Sequence, residues 1–174
     1  MRAADGAIEQ VRRLSRDLRP SLLDNLGLVP ALRSFVDQQT QHADFEATFS
    51  ADPTIARLPE VLENAYFRIA QEAMTNIMRH AQATRVSVAL RVEDDALVLT
   101  LHDDGIGFDM EDTFTDVDAG RGLGLVSMRE RAHLIGGTFA VTSKPGRGTE
   151  VRVRTPLTLE RTDPSTKPTL TGFS

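Results

Sequence analysis

The stretch "ALVLTLHDDGIGFD", residues 96–109, decides the fold, because an alternating apolar run passes directly into the acid- and glycine-rich "DDGIG". Leu97, Leu99 and Leu101 share one face of an extended strand. Taken alone, "DDGIG" indicates a tight turn, since Asp-Gly pairs are common in turns. The alternative is a ligand-binding floor, because glycines let the backbone approach a ligand closely and Asp103 can accept a hydrogen bond from an amino group such as that of adenine.

The segments around this strand predict a mixed β-sheet. A second alternating run, "RVSVALRV" at 85–92, precedes it, and "EDDA" between the two runs predicts a hairpin. The other predicted elements are a strand at 44–51, helices at 59–81 and 122–137, and a last hairpin formed by "TFAVTS" and "TEVRVRTPL". Their order predicts an α+β domain with helices on one face of a mixed sheet.

The two ends of the chain differ from this pattern. Apolar residues at three- and four-residue steps predict a short helix that stops before Pro20, and its stripe consists of Ile8, Val11, Leu14 and Leu18. This stripe is either an arm folded onto its own domain or one half of an interhelical seam, and the sequence leaves both open.

A second helix is predicted to begin at Pro30. Residues 109–121 read as a mobile loop, and the polar tail 158–174 as disordered.

The composition excludes several classes of protein. In 174 residues, 20 Lys and Arg against 25 Asp and Glu give a formal net charge of −5, so we expect no nucleic-acid partner. The absence of cysteine agrees with a reducing compartment, and the cytoplasm is the simplest interpretation. No run approaches the ~20 apolar residues of a membrane span. We therefore expect a soluble chain, which can still belong to a longer, anchored protein.

A row of polar residues lies on the predicted helix 59–81. Glu72, Asn76 and His80 are four positions apart, so each is rotated only ~40° from the last. The row borders an apolar stripe that consists of Leu62, Tyr66, Ile69, Ala73 and Ile77. The polar groups of this row need hydrogen-bond partners at the edge of the buried stripe. These partners are either local protein groups and solvent, or a ligand or metal ion. Three such residues in one row favour the ligand.

The run "GRGLGL", residues 120–125, places Gly120, Gly122 and Gly124 just before a predicted helix. This arrangement presents backbone N–H groups and a helix dipole to phosphate, although a flexible hinge is the alternative. It is neither a P-loop nor a dinucleotide fingerprint, since no Gly-Lys-Ser/Thr follows and a loop precedes it. The ordered combination of polar row, acid-glycine strand end, loop and glycine run favours a binding site.

At this point the sequence resembles a known family. "QEAMTNIMRHA", "DDGIG", "GRGLGL" and "GTEVRV" are similar to the N box, the two glycine boxes and the terminal Gly-Thr of a particular ATP-binding domain. That domain, with its Bergerat-type α/β sandwich, is shared by gyrase, Hsp90-type chaperones, sensor histidine kinases and a mismatch-repair protein. Together with "LSRDLRPSLLDNLGLVPAL", the motifs resemble the nitrate- and oxygen-sensor-like subclass of two-component histidine kinases.

The resemblance implies ATP and Mg²⁺ as cofactors and three segments: the end of a dimerisation helix and linker at 1–27, an ATP-binding catalytic domain at 28–157, and the tail. It implies that Asn76 coordinates Mg²⁺, and that Glu72 is the catalytic residue, beside the metal-bound water or the γ-phosphate. It implies that Asp103 accepts from the adenine amino group. The remaining residues with implied nucleotide contacts are Arg79, His80, Gly105, Gly107, Gly120, Gly122, Gly124, Leu125 and Thr149.

The resemblance also implies partners: the phosphoacceptor helices of a homodimeric parent kinase, and a response regulator. The family's acceptor histidine precedes the segment "VRRLSRDLRP", and no histidine precedes Asp5 here. The four histidines, His42, His80, His102 and His133, fall inside or beside the ATP-binding domain. We therefore expect a chain that binds ATP without labelling itself. The alternative is a nucleotide-gated protein-binding switch, similar to an anti-sigma regulator, that uses the same pocket.

Overall fold

The computed structural model describes residues 21–41, 43–110 and 122–157. A five-stranded sheet has the order β1-β2-β3-β5-β4. The strands are β1 (Glu46–Ala51), β2 (Arg85–Glu93), β3 (Ala96–Asp103), β4 (Thr138–Ser143) and β5 (Thr149–Pro156). Strand β1 pairs parallel with β2, and the other pairs are antiparallel. The predicted mixed sheet is therefore confirmed.

Four α-helices accompany the sheet in the described residues: α1 (Ser21–Leu26), α2 (Leu28–Thr40), α3 (Glu60–Asn76) and α4 (Leu123–Leu134). Their apolar faces and one face of the sheet form a single buried cluster. Helix α1 lies in a segment for which the sequence predicted no element. The predicted helix with the stripe from Ile8 to Leu18, most of the 109–121 loop and the tail lie outside the described residues.

Strands β2 and β3 form the hairpin that the two alternating runs predict. Val88 pairs with Leu101 and Leu90 with Leu99, so the apolar faces of the two strands coincide. Asp94 and Asp95 form the turn with φ angles of 47° and 55°. Two positive φ angles give a hairpin turn whose twist matches the strands, and Asp tolerates this conformation better than most residues.

Helix α3 is the central helix of the cluster. Tyr66, Ile69 and Ala73 are buried on its inner face. The Tyr66 hydroxyl donates to the Leu97 carbonyl at 2.8 Å and so ties α3 to β3. Burial raises the pKa of Tyr66 to about 12, which keeps the phenol protonated as a donor.

The last turn of this helix differs from the prediction of one regular helix over 59–81. After Asn76 the chain forms a π-helical turn, Ile77–Ala81, and Gln82 leaves it with a φ of 50°. The spacing of apolar residues does not distinguish an α-turn from a π-turn. Ile77 and Ala81, which such a spacing predicts to be buried, are both buried in the π-helical turn. Such turns are rare and occur often at functional sites.

The segment before α2 packs against the buried cluster. Leu23 and Leu28 are each 2% exposed and lie in the same cluster as α3 and the sheet. Gly27 separates α1 from α2 with a φ of 88°. The proposed boundary between a linker ending at 27 and a domain beginning at 28 stays a prediction. In the described ranges 21–41, 43–110 and 122–157, no helix has the length and apolar character to span a membrane.

An ion pair between the half-exposed Arg57 and the buried Glu63 lies where α1 meets the start of α3. The Glu63 carboxylate, 2% exposed, accepts from the Leu58 N–H at 3.2 Å and pairs with Arg57 Nε at 3.2 Å. Arg57 also donates to the Asp24 carbonyl at 2.8 Å. This cluster holds the turn between α1 and α2 against the domain.

Arg57→Met is expected to lower the free energy of unfolding by about 1–3 kcal/mol, because the buried Glu63 carboxylate loses a charged partner. Urea unfolding measures the change, and Arg131→Met on the exposed side of α4 is the matched control. The double variant Arg57→Met, Glu63→Met should regain part of the loss, since both charges are then gone. An Arg57→Met protein as stable as the control would show that the pair does not stabilise the domain.

Candidate functional site

A cavity of about 610 Å³ lies between α3, α4 and the glycine loop after β3, a volume typical of small-molecule sites. Most of the residues nominated from the sequence line it. These are Glu72, Asn76, Arg79, His80, Asp103, Gly107, Gly122, Gly124, Leu125 and Thr149. Gly105 does not line the cavity, and Gly120 lies outside the described residues. The structure thus brings together residues that are up to 77 positions apart in the chain, from Glu72 to Thr149.

The polar row on α3 forms one wall. Glu72 and Asn76 are half-buried, while Arg79 and His80 are exposed on the π-helical turn. A Cβ placed on Gly124 would lie 2.5 Å from Glu72 Oε1 and 3.2 Å from Asn76 Nδ2. The start of α4 therefore lies against the carboxylate of Glu72 and the amide of Asn76, and a larger residue at 124 would displace these side chains.

The opposite wall is the N-terminus of α4. Gly122 is its N-cap with a φ of 79°, and within the described residues no side chain caps the helix or places an acid in its first turn. Backbone N–H groups in the first turn of a helix have no intrahelical acceptor, and the helix dipole makes this end positive. The wall beside Glu72 and Asn76 is therefore suited to an anion.

Asp103 forms the floor. It is 2% exposed, and its Oδ1 accepts from the Gly105 N–H at 2.9 Å. Burial raises the pKa of Asp103 above its usual value, and the N–H groups of Gly105 and Thr149 oppose that rise. A buried carboxyl with a perturbed pKa in a cavity indicates a functional position.

The glycines around this floor serve the protein's own backbone. A Cβ on Gly105 would collide with the Ala81 carbonyl, and a Cβ on Gly107 with the Lys144 carbonyl. The Ile106 N–H donates to the Ala81 carbonyl at 2.7 Å, which fixes the loop against the π-helical turn. The sequence predicted close approach to a ligand, which stays a prediction. The close approach that the structure contains is between backbone segments.

Ser143 is a site residue that the sequence analysis missed. Its buried hydroxyl donates to the Gly148 carbonyl at 3.0 Å, accepts from the Phe108 N–H at 2.9 Å and lies 3.0 Å from Thr149 Oγ1. A hydroxyl has one proton, so Thr149 must donate to Ser143. The lone pairs of Thr149 then remain available to the cavity. The role of Ser143 could have been found from the register of the β4–β5 hairpin, which pairs Ser143 with Thr149.

The fold and the cavity are those of an ATP-binding α/β sandwich. The chain belongs to the family described as histidine kinase-, DNA gyrase B- and HSP90-like ATPases, whose model matches residues 62–159. The matched residues contain both walls and the floor of the cavity.

Two curated relatives are sensor kinases or signal-transduction kinases by name. The chain is 37% identical over 155 residues to the oxygen sensor histidine kinase NreB of Staphylococcus carnosus, which covers 87% of this chain and 42% of the relative. It is 34% identical over 154 residues to the signal transduction histidine-protein kinase/phosphatase DegS of Brevibacillus brevis, which covers 88% and 39%. The chain therefore spans about two-fifths of the length of these relatives.

Solved structures agree on the fold. The histidine kinase domain of the blue-light activated histidine kinase EL346 from Erythrobacter litoralis matches with a TM-score of 0.58 at 26% identity, covering 74% of this chain and 59% of that chain. The histidine kinase AdeS of Acinetobacter baumannii matches with a TM-score of 0.61 at 17% identity, covering 90% and 83%, and shows the fold alone. The predicted α+β fold and the predicted class, an ATP-binding domain of the histidine kinase type, are confirmed.

Asp103→Asn is expected to leave the nucleotide-free protein as stable as the parent or more stable at pH 7.5, because a neutral amide replaces a buried carboxylate. The pKa of Asp103 is higher in the folded state than the ordinary value of about 3.9. Protonation of Asp103 therefore stabilises the parent fully below about pH 3.9, and this stabilisation is lost as pH rises through the folded-state pKa. The advantage of the variant should therefore shrink as pH falls.

Urea unfolding of parent and variant at several pH values between about 5 and 7.5 measures this difference, with Asp37→Asn on the exposed side of α2 as the control. An advantage that grows toward low pH, or a variant less stable than the parent at pH 7.5, would contradict the raised pKa.

Proposed function

We propose that this chain is the catalytic domain of a two-component sensor histidine kinase. It binds Mg²⁺-ATP and transfers the γ-phosphoryl group to a histidine on a dimerisation helix, for relay to a response regulator. One observation carries the proposal: a buried acid, an uncapped helix N-terminus and a carboxylate-amide pair converge on one cavity. The names of the curated relatives support the kinase class over other members of the family.

The adenine ring is proposed to lie on the Asp103 floor. The Asp103 carboxylate accepts from the exocyclic amino group, and the Thr149 hydroxyl, whose proton is directed to Ser143, adds a second acceptor. Leu101 and Val151 line the same region and offer apolar surface to the ring. A guanine would present a carbonyl where adenine presents its amino group, so this floor should prefer adenine.

The triphosphate is proposed to lie between the N-terminus of α4 and the end of α3. The first-turn N–H groups of α4 bind phosphate oxygens, and Gly122 and Gly124 allow their close approach. Arg79 and His80 contact the phosphates from the π-helical turn. Gly120 and Leu125 are the remaining residues for which we propose nucleotide contacts.

Asn76 is the proposed metal ligand, and the chemistry of the donor set fits Mg²⁺. The Asn76 amide oxygen is a hard ligand, and Mg²⁺ commonly takes few protein ligands beside phosphates and water. No three His, Asp or Glu side chains converge as a metal cluster in the part of the chain that the structure describes. When bound, Mg²⁺ neutralises phosphate charge. Glu72 lies next to Asn76 in the cavity, where its carboxylate can orient water or an incoming imidazole beside the γ-phosphate.

The partners are proposed from the same assignment. The acceptor histidine lies on a dimerisation helix of the parent kinase, a homodimer, and residues 1–27 form the end of that helix and a linker to this domain. Residues 28–157 form the catalytic domain, and the tail 158–174 follows it. A response regulator receives the phosphoryl group in the cytoplasm, where ATP is supplied. The role of the chain's own residues in the transfer is positioning and charge neutralisation.

Asn76→Ala is expected to remove the Mg²⁺-dependent part of ATP binding, because the amide oxygen that ligates the metal is lost. Calorimetry in Mg²⁺ and in EDTA measures this part. The parent should bind ATP more tightly in Mg²⁺. The variant should be about tenfold weaker than the parent in Mg²⁺ and equal to it in EDTA, a loss typical of one charged contact. Thr75→Ala, on the neighbouring position of α3, is the control. A variant that keeps the parent's Mg²⁺ dependence would refute the metal assignment.

The kinase activity is tested by mixing this chain with γ-labelled ATP and a separate dimerisation-helix polypeptide that carries an acceptor histidine. We expect acid-labile phosphohistidine on that polypeptide and no label on this chain, because the domain supplies ATP and the helix supplies the nucleophile. Loss of label with Glu72→Gln, at unchanged ATP affinity, would support its catalytic role. A chain that binds ATP but labels no acceptor would favour the alternative, a nucleotide-gated switch.

A further inference from the structure

Asp104 follows the floor residue Asp103 but does not line the cavity. Its carboxylate instead accepts four hydrogen bonds, two from Thr84, just before β2, and two from Arg85, the first residue of β2. Oδ1 accepts from the N–H groups of Thr84 and Arg85, both at 2.8 Å. Oδ2 accepts from Thr84 Oγ1 at 2.9 Å and from Arg85 Nε at 3.2 Å. The Asp104 N–H donates in turn to the Arg85 carbonyl at 3.2 Å.

These bonds require an ionised carboxylate. Two oxygens of a carboxylate accept several donors at once, whereas an amide would present its NH₂ to one pair of them. The N–H groups of Arg85 and Thr84 hold the pKa of Asp104 well below its usual range. The group therefore keeps all four interactions at neutral pH.

A second attachment lies two residues further along the same loop. The Ile106 N–H donates to the Ala81 carbonyl at 2.7 Å, and Gly105 packs so closely on that carbonyl that a Cβ would collide with it. Residues 104–106 are thus fixed to residues 81–85 at two points. One point is the end of the helix that carries Glu72 and Asn76, and the other is the start of β2.

Asp103 immediately precedes this attachment. Its Oδ1 accepts from the Gly105 N–H at 2.9 Å, and this bond depends on where the loop turns. A shift of Asp104 would therefore rotate the Asp103 carboxylate and move the floor relative to α3. Such a shift changes the distance between the adenine end and the phosphate end of the cavity.

We propose that Asp104 is a positioning residue for nucleotide binding, which holds the Asp103 carboxylate in register with α3 through Thr84 and Arg85. The role rests on the proposed function, because it acts on the adenine acceptor. A merely structural role would affect stability in proportion to the hydrogen bonds lost and leave the affinity for ATP unchanged.

Asp52 provides a matched control. Hydrogen bonds lower its pKa as they do that of Asp104, and its Oδ1 accepts from the N–H and the hydroxyl of Thr54 at 3.0 and 2.7 Å. It lies after β1 at the opposite end of the sheet, where its N–H donates to the Leu90 carbonyl at 2.9 Å. Asp52→Ala removes the same kind of local bonds at a distance from the cavity.

The experiment measures the dissociation constants of ATP and GTP with Mg²⁺, together with the melting temperature, for the parent, Asp104→Ala, Asp104→Asn and Asp52→Ala. Asp104→Ala should bind ATP about tenfold more weakly, because the displaced Asp103 carboxylate loses its one hydrogen bond to adenine. For the same reason the variant should discriminate less between ATP and GTP. Asp104→Asn should recover part of the affinity, since its amide oxygen still accepts from two backbone N–H groups. Asp52→Ala should lower the melting temperature without changing either dissociation constant.

Unchanged ATP affinity and unchanged discrimination in a folded Asp104→Ala protein would overturn the positioning role alone. If Asp104→Ala does not fold, Thr84→Val removes only the hydroxyl donor and should weaken ATP binding in the same direction, and unchanged affinity in that variant overturns the role. A folded parent that binds no adenine nucleotide would overturn the proposed function and this role with it.

Discussion

The site depends on close contact between backbone segments that no larger residue would allow. Gly105 meets the carbonyl of Ala81, Gly107 that of Lys144, and Gly148 that of Asp103, each closer than a Cβ could come. These contacts join the π-helical turn after α3, the loop after β3 and the turn between β4 and β5. The cavity floor exists because the three segments meet there. In this floor glycine is required by the fold, whatever ligand it holds.

Two neighbouring acids on this loop have opposite environments and, by our proposals, opposite tasks. Burial raises the pKa of Asp103, while the N–H groups of Arg85 and Thr84 lower that of Asp104. The first acid is kept out of water, which costs stability. The second is fully hydrogen-bonded and holds the backbone in place. Binding sites commonly place a recognition group that costs stability beside a hydrogen-bonded group that holds the backbone in place.

Much of the fold could be predicted from local sequence patterns. The alternation in β2 and β3, the stripe on α3 and the turn at Asp94 are encoded within a few residues, and all are found where the patterns place them. The polar row with Glu72 and Asn76 lines the cavity. The role of Ser143 and the helix α1 could not be found in this way, because the first needs the register of a hairpin and the second is stabilised by burial of Leu23 against distant elements.

The sequence by itself determined which elements form and which polar groups stand at their ends, because helix and strand periodicities are properties of short segments. Only the tertiary structure decided how "DDGIG" is used. The bonds of Asp104 reach back 19 and 20 residues, and that of Phe108 to Ser143 reaches forward 35. The π-helical turn before Gln82 is likewise closed by the Ile106 N–H on the Ala81 carbonyl. Such contacts depend on where distant segments meet in space, and no local period encodes them.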